Sequence, residues 1–179
     1  MRLPDTPTAP VPLSQFTAGP GAPIFFRQER VGLHGKRFQV LKFRSMSVDA
    51  ERDGKAVWAT KNDSRVTRVG HFIRKTRIDE LPQFINVLRG EMSVVGPRPH
   101  LPQHDDEFAE QERTYRMRTL VKPGITGMAQ TKGYRGEIDD PAKLNRRVYW
   151  DLYYVNHWTL TMDVVIILRT FWQIFFPPK

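Results

Sequence analysis

Pro23-Ile24-Phe25-Phe26-Arg27-Gln28-Glu29-Arg30-Val31-Gly32-Leu33-His34-Gly35-Lys36-Arg37-Phe38-Gln39-Val40-Leu41-Lys42-Phe43-Arg44-Ser45 is the stretch that decides the fold class. Two runs carrying Phe25, Phe26, Phe38, Val40, Leu41 and Phe43 flank the turn-prone Gly32-Leu33-His34-Gly35, a pattern that predicts a β-hairpin. Downstream the period changes from two to nearly four. Ile78, Leu81, Ile85 and Leu88 fall at helical spacing, with Pro82 tolerated near the start and Gly90 as the stop. Further helices are expected from about residue 105 to 120, from 141 to 155, where Leu144, Val148, Leu152 and Val155 share a side, and from 163 to 176. The expected fold is therefore α+β, a small hairpin or sheet packed with amphipathic helices. Between them, residues 46–70 read as a polar loop with one short strand, and Lys122-Pro123-Gly124-Ile125-Thr126-Gly127 as a rigid turn.

Working outward, residues 1–20 are rich in Pro and Thr and lack the basic and apolar regions of a signal peptide, so they read as a disordered or extended leader. Residues 21–179 are expected to form one catalytic domain, long enough to bury a core. The 179 residues contain no cysteine, which excludes disulfides, thiolate chemistry and Cys-based zinc sites. Against 19 Asp and Glu stand 28 Lys and Arg, a formal net charge of +9 that favours nucleic acid, phosphorylated metabolites or acidic lipid. No stretch has the ~18 consecutive apolar residues of a spanning helix. The last element, Asp163 to Phe176, is apolar but interrupted by Arg169 and Gln173. It suits a helix lying in a membrane interface, with a C-terminal core helix as the alternative.

Candidate chemistry concentrates in Arg74-Lys75-Thr76-Arg77-Ile78-Asp79-Glu80-Leu81-Pro82-Gln83. Asp79 and Glu80 are expected in the first turn of a helix, where the dipole and the preceding cations favour ionised carboxylates. An ionised Asp can attack phosphorus or hold Mg²⁺ against a phosphate; simple helix capping is the competing reading. In Gly96-Pro97-Arg98-Pro99 an arginine between two prolines has little freedom to lose on gripping a phosphate, although a Pro-rich surface turn explains the same residues. Gly133-Tyr134-Arg135-Gly136 adds another cation beside flexible backbone. The chain lacks a phosphate loop, a Gly-x-Gly-x-x-Gly fingerprint and an Asp-x-Asp metal motif. His100 and His104 have i,i+4 spacing, but without a third ligand ordinary hydrogen-bonding histidines explain them better than zinc.

The ordered set Phe25-Phe26-Arg27-Gln28-Glu29-Arg30-Val31-Gly32, Lys42-Phe43-Arg44-Ser45-Met46, Thr67-Arg68-Val69-Gly70, Asp79-Glu80-Leu81-Pro82-Gln83, Val95-Gly96-Pro97-Arg98-Pro99, Lys122 to Gly127 and Asp151-Leu152-Tyr153-Tyr154 resembles the bacterial sugar transferases, the monotopic polyprenyl-phosphate hexose-1-phosphate transferases. The resemblance implies that Asp79 attacks the β-phosphorus of a UDP-hexose and expels UMP. Undecaprenyl phosphate then takes the sugar phosphate and starts assembly of an exopolysaccharide or other glycan. It implies Glu80 as partner carboxylate, Arg74 and Arg98 as phosphate clamps, Arg135 near the nucleotide or sugar, and Mg²⁺ held with Asp79 and Glu80. It also implies the cytoplasmic face of the bacterial inner membrane, approached through the C-terminal aromatic helix and basic charge. The family's N-terminal re-entrant helix has no counterpart in the leader. A non-catalytic scaffold, or a nucleic-acid binder using Trp150, Tyr153, Tyr154 and Trp158, is the alternative; the resemblance implies no nucleic acid.

Overall fold

In the computed structural model the described residues are 22–51, 63–136, 138 and 140–176; the expected leader falls outside them. The chain divides into two compact units, one of residues up to Ile24 with Arg44–Asp79, the other of Phe25–Phe43 with Glu80 onward. The architecture is the expected mixture of helices and small sheets.

In the smaller unit, Met46 pairs with Val66 in an isolated antiparallel bridge, and helix α1 runs Arg68–Lys75. Thr67 starts that helix: its hydroxyl accepts from the Gly70 amide at 2.9 Å. Gly70 is required there, since a Cβ would stand 1.9 Å from the Ser45 carbonyl oxygen. The expectation of a loop across residues 46–70 is thereby corrected at its end. In α1 only Gly70 is buried, and Phe72 is exposed.

The larger unit opens with the predicted hairpin, β1 (Phe25–Val31) and β2 (Arg37–Phe43). Their antiparallel register matches Phe25 to Phe43 and Val31 to Arg37, and the two Phe rings stack with centroids 5.7 Å apart. The Gly32–Lys36 turn closes through the Gly32 amide donating to the Lys36 carbonyl at 2.8 Å, with His34 and Gly35 at positive φ.

Helix α2 is Gln83–Leu88, capped by Pro82, so Asp79 and Glu80 do not sit in its first turn. They lie in a separate 3-10 turn, Ile78–Glu80, because Pro82 lacks the amide that a longer helix would need there and instead opens α2. The apolar positions read from periodicity, Leu81, Ile85 and Leu88, are exposed, Leu88 by 88%. The buried face of α2 is polar. Asn86 accepts from the Leu41 amide at 3.0 Å and donates to the Gln39 carbonyl at 2.8 Å, tying α2 to the open edge of β2.

Strands β3 (Ser93–Val95) and β4 (Gly124–Thr126) pair in parallel, so the expected rigid turn at 122–127 contains a strand. Helix α3 covers Pro102–Gln111 and a separate 3-10 segment covers Tyr115–Leu120, replacing the single helix expected over 105–120. A short α4 (Met128–Thr131) precedes α5 (Pro141–His157), which Asp140 caps by accepting from the Ala142 amide at 2.9 Å. Phe108, Tyr115, Leu144 and Val148 form one buried cluster. Val95, Tyr154 and Ile166 form another, under α6 (Leu160–Phe175). Among the described residues no helix is long and apolar enough to cross a membrane.

Candidate functional site

Arg74 occupies the last turn of α1, and the chain leaves that helix through Arg77 in the left-handed conformation, φ 61°. An arginine held there is strained, a condition that persists where surrounding structure enforces it and that concentrates near functional residues. Asp79 follows in the Ile78–Glu80 turn, half-buried.

In the larger unit three of the five predicted residues meet. Glu80 is buried. Its Oε1 accepts from Arg98 Nη2 at 2.8 Å and its Oε2 from Arg135 Nη2 at 2.9 Å. The two clamps come from distant segments. Arg98 is delivered by the β3–β4 pair: Gly96 donates to the Thr126 carbonyl and Gly124 to the Pro97 carbonyl, each at 2.9 Å. A Cβ on Gly124 would lie 2.1 Å from the Gly96 nitrogen, so the two backbones touch. Arg135 lies in the turn after α4, between Gly133 and Gly136, both at positive φ.

Burial alone would raise the Glu80 carboxyl, but Arg98, Lys42 and Arg135 overcome that and hold it well below the usual carboxylate range. Three cations thus converge on one carboxylate, which leaves a local positive excess suited to a phosphate or diphosphate. Lys42 was not singled out from sequence. Its strand alternation looks like any exposed hairpin lysine, and only the fold brings its charge to bear on Glu80.

Behind the clamps sits a second group the sequence reading passed over. Arg118 Nε donates to Asp151 Oδ2 at 2.7 Å, and both side chains are almost wholly buried. Arg118 Nη2 also donates to the Arg98 carbonyl at 2.8 Å. Arg147 Nη2 donates to the Gly136 carbonyl at 2.9 Å. His100, predicted to be an ordinary hydrogen-bonding histidine, stands between them, Nδ1 3.2 Å from Arg118 Nη1 and Nε2 3.4 Å from Arg147 Nη1. Burial and four surrounding arginines push its pKa well below the ordinary histidine value, so the ring is neutral. Burial also lowers Arg147 to about 10. A sequence signal existed. Arg147 and Asp151 fall on the same helical face as Leu144, Val148 and Tyr154, and charges on an apolar face must find partners.

No group of three or more His, Asp or Glu side chains able to hold a metal ion occurs among the described residues. Asp79 and Glu80 are the carboxylates that could serve a magnesium ion held mainly by phosphates and water, which is that ion's usual mode, and Glu80 already accepts from Arg98 and Arg135.

A model of the bacterial sugar transferase family matches residues 10–177. The chain is 52% identical over 148 residues to a UDP-glucose:undecaprenyl-phosphate glucose-1-phosphate transferase of Klebsiella pneumoniae, covering 83% of this chain and 32% of that protein. It is 50% identical over 153 residues to the enzyme of the same name from Escherichia coli K12, covering 86% and 32%. To a UDP-N-acetylgalactosamine-undecaprenyl-phosphate N-acetylgalactosaminephosphotransferase of Aeromonas hydrophila it is 45% identical over 149 residues, covering 83% and 34%. The chain spans about a third of the length of these relatives. With the ordered motifs carried on a fold that brings Glu80, Arg98 and Arg135 together, the match over nearly the whole sequence has one meaning: this chain belongs to the bacterial sugar transferase family.

Proposed function

We propose that the protein transfers a hexose 1-phosphate from a UDP-sugar to undecaprenyl phosphate in two steps, through a covalent phosphosugar on Asp79. The observation that carries this reading is the Glu80 carboxylate held between Arg98 and Arg135, with Lys42 adding a third cation, one residue after Asp79. In the first step an Asp79 oxygen forms a bond to the β-phosphorus. The bond from that phosphorus to the bridging oxygen breaks, and UMP leaves with the electron pair. In the second, an oxygen of the lipid phosphate attacks the same phosphorus, displaces Asp79, and creates the diphosphate link. Arg98 neutralises the charge that spreads over the phosphoryl oxygens, Arg135 grips the nucleotide or sugar side, and Arg74 takes a phosphate-clamp role on the family resemblance alone. A bound Mg²⁺, with Asp79 and Glu80 as its protein ligands, would polarise the diphosphate and stabilise departing UMP. Relatives whose names specify glucose and N-acetylgalactosamine leave the donor as a UDP-hexose.

The acceptor is a membrane lipid, and α6 supplies the matching surface. Leu160, Val164, Leu168, Phe171, Trp172 and Phe175 are exposed at helical spacing, and Arg169 stands among them. Such a helix lies at an interface with its apolar side toward acyl chains and its cation toward headgroups, here at the cytoplasmic leaflet where UDP-sugars are available.

Incubating the chain with Mg²⁺ and UDP-glucose, UDP-galactose or UDP-N-acetylgalactosamine, followed by intact-mass and peptide analysis, tests the chemistry. The expected result is UMP release with a hexose-phosphate adduct on the Asp79 peptide, lost in Asp79→Asn. Absence of both UMP and adduct with all three donors refutes the two-step reading.

A further inference from the structure

The two arginines that hold Glu80 each depend on a second, buried arginine. Arg118 donates to the carbonyl of Arg98 itself, and Arg147 to the carbonyl of Gly136, next to Arg135. Both guanidiniums lie against the His100 ring, whose neutral form can accept from only one of them, and the pair is neutralised on one side by Asp151. The proton arrangement of this cluster can be read. The Tyr115 hydroxyl has one proton and donates it to Asp105 Oδ1 at 2.9 Å. It therefore accepts from His100 Nδ1–H at 2.5 Å. That leaves Nε2 of the neutral ring with its lone pair facing the Arg147 guanidinium.

Buried ion pairs are poor sources of stability, because desolvation offsets most of their attraction. Arg147 illustrates the cost: it is 4% exposed, and its Nε has no hydrogen-bond partner. A packed apolar side chain would serve the core as well. What the guanidinium does that an apolar residue could not is fix the Gly136 carbonyl. A glycine at φ 94° leaves that turn with no side chain of its own to hold it.

We infer that Arg147 and Arg118, which flank His100, are positioning residues that aim Arg135 and Arg98 at the charged group between them. The inference rests on the assignment of Arg98 and Arg135 as substrate clamps. Arg147 acts through Gly136, so its contribution vanishes when Arg135 is gone; Arg118 acts through the Arg98 backbone in the same way.

The test is a double-mutant cycle on UMP release from UDP-glucose, with thermal unfolding of every variant. Arg147→Met, which matches the buried stem without the charge, is expected to lower kcat/KM at least about tenfold while the melting temperature moves by only a few degrees. In an Arg135→Ala background the same change is expected to cost less than about twofold. Arg147→Lys, which keeps a donor for one of the two contacts, should recover part of the loss and serves as the probe if Arg147→Met unfolds. Equal losses with and without Arg135 would overturn the inference while leaving the clamp assignment intact. Hydrogen exchange separates the remaining case. If Arg135→Ala leaves turnover unchanged but Arg147→Met speeds exchange of the Tyr134–Gly136 amides, positioning of the turn stands and the clamp assignment fails. Unchanged exchange in Arg147→Met refutes the positioning role. The parallel cycle of Arg118→Met with Arg98→Ala, made in an Asp151→Leu background so that no buried carboxylate loses its partner, tests the other arm by the turnover criteria.

Discussion

Asn86 lies on the one face of α2 that enters the interior, and it is an amide, not an apolar side chain. It satisfies one amide and one carbonyl of β2 and also donates to Glu91 Oε2 at 2.7 Å. Replacing it by alanine would strand those buried groups. Asn86→Ala is expected to lower stability by about 1–3 kcal/mol, measured by chemical denaturation, without altering UMP release. Glu80 follows the opposite logic. It has more positive charge around it than it can neutralise, which under the proposed reaction suits a diphosphate. Neither role could be read from residue type. The adjacent Asp79 and Glu80 look alike in sequence, and a helix-capping reading served both; the separation of Glu80 into a clamped, buried position comes from Arg98 and Arg135, 18 and 55 residues away.

Among the elements, the β3–β4 pair has the strictest demands, since Gly96 and Gly124 approach closely enough that neither tolerates a Cβ. Gly124→Ala forces a backbone shift that no rotamer relieves. Overpacking of this kind costs about 1–3 kcal/mol, or a fall of about 2–4 °C in melting temperature per kcal/mol for a chain of this size. Because Arg98 hangs on that pair, turnover should fall with it. Helix α6 makes a different prediction. Thr126 and Thr170 share a hydrogen bond at 2.6 Å and Gln173 donates to the Thr131 carbonyl at 2.8 Å, which fixes its inner side, while Phe171 and Trp172 remain exposed. The double variant Phe171→Glu with Trp172→Glu should change the melting temperature little yet sharply reduce cosedimentation with anionic phospholipid vesicles. Unchanged vesicle binding would remove α6 from the membrane surface.

At the level of the whole molecule, the buried charges bring a dependence on pH. His100 is held neutral in the folded state but takes a proton near pH 6.5 when unfolded. Its folded pKa is depressed, so the unfolded chain binds more protons below that value, and acid favours unfolding. Stability contributed by this group is complete above about pH 6.5 and is lost progressively as pH falls below it. A denaturation series from pH 7.5 to 5 should show that decline, and His100→Gln should flatten it.

The hairpin, α5 and α6 were legible in the sequence because each depends on local pattern: a turn between aromatic runs, apolar residues at helical period, or a concentrated apolar run; the Thr159 cap was not, and α6 begins at Leu160 where 163 was expected. The membership in a family was legible as well, since it depends on ordered short motifs. The span 78–88 misled because periodicity reports where apolar residues lie, not which face is covered. Here Leu81, Ile85 and Leu88 stay outside while Gln83 and Asn86 go in. The parallel pairing of 93–95 with 124–126, the positive excess at Glu80 and the buried Arg118–His100–Arg147 cluster were decided only by tertiary structure. Each joins segments far apart in sequence, and the energy of a buried charge depends on which distant partner the fold brings within hydrogen-bonding reach.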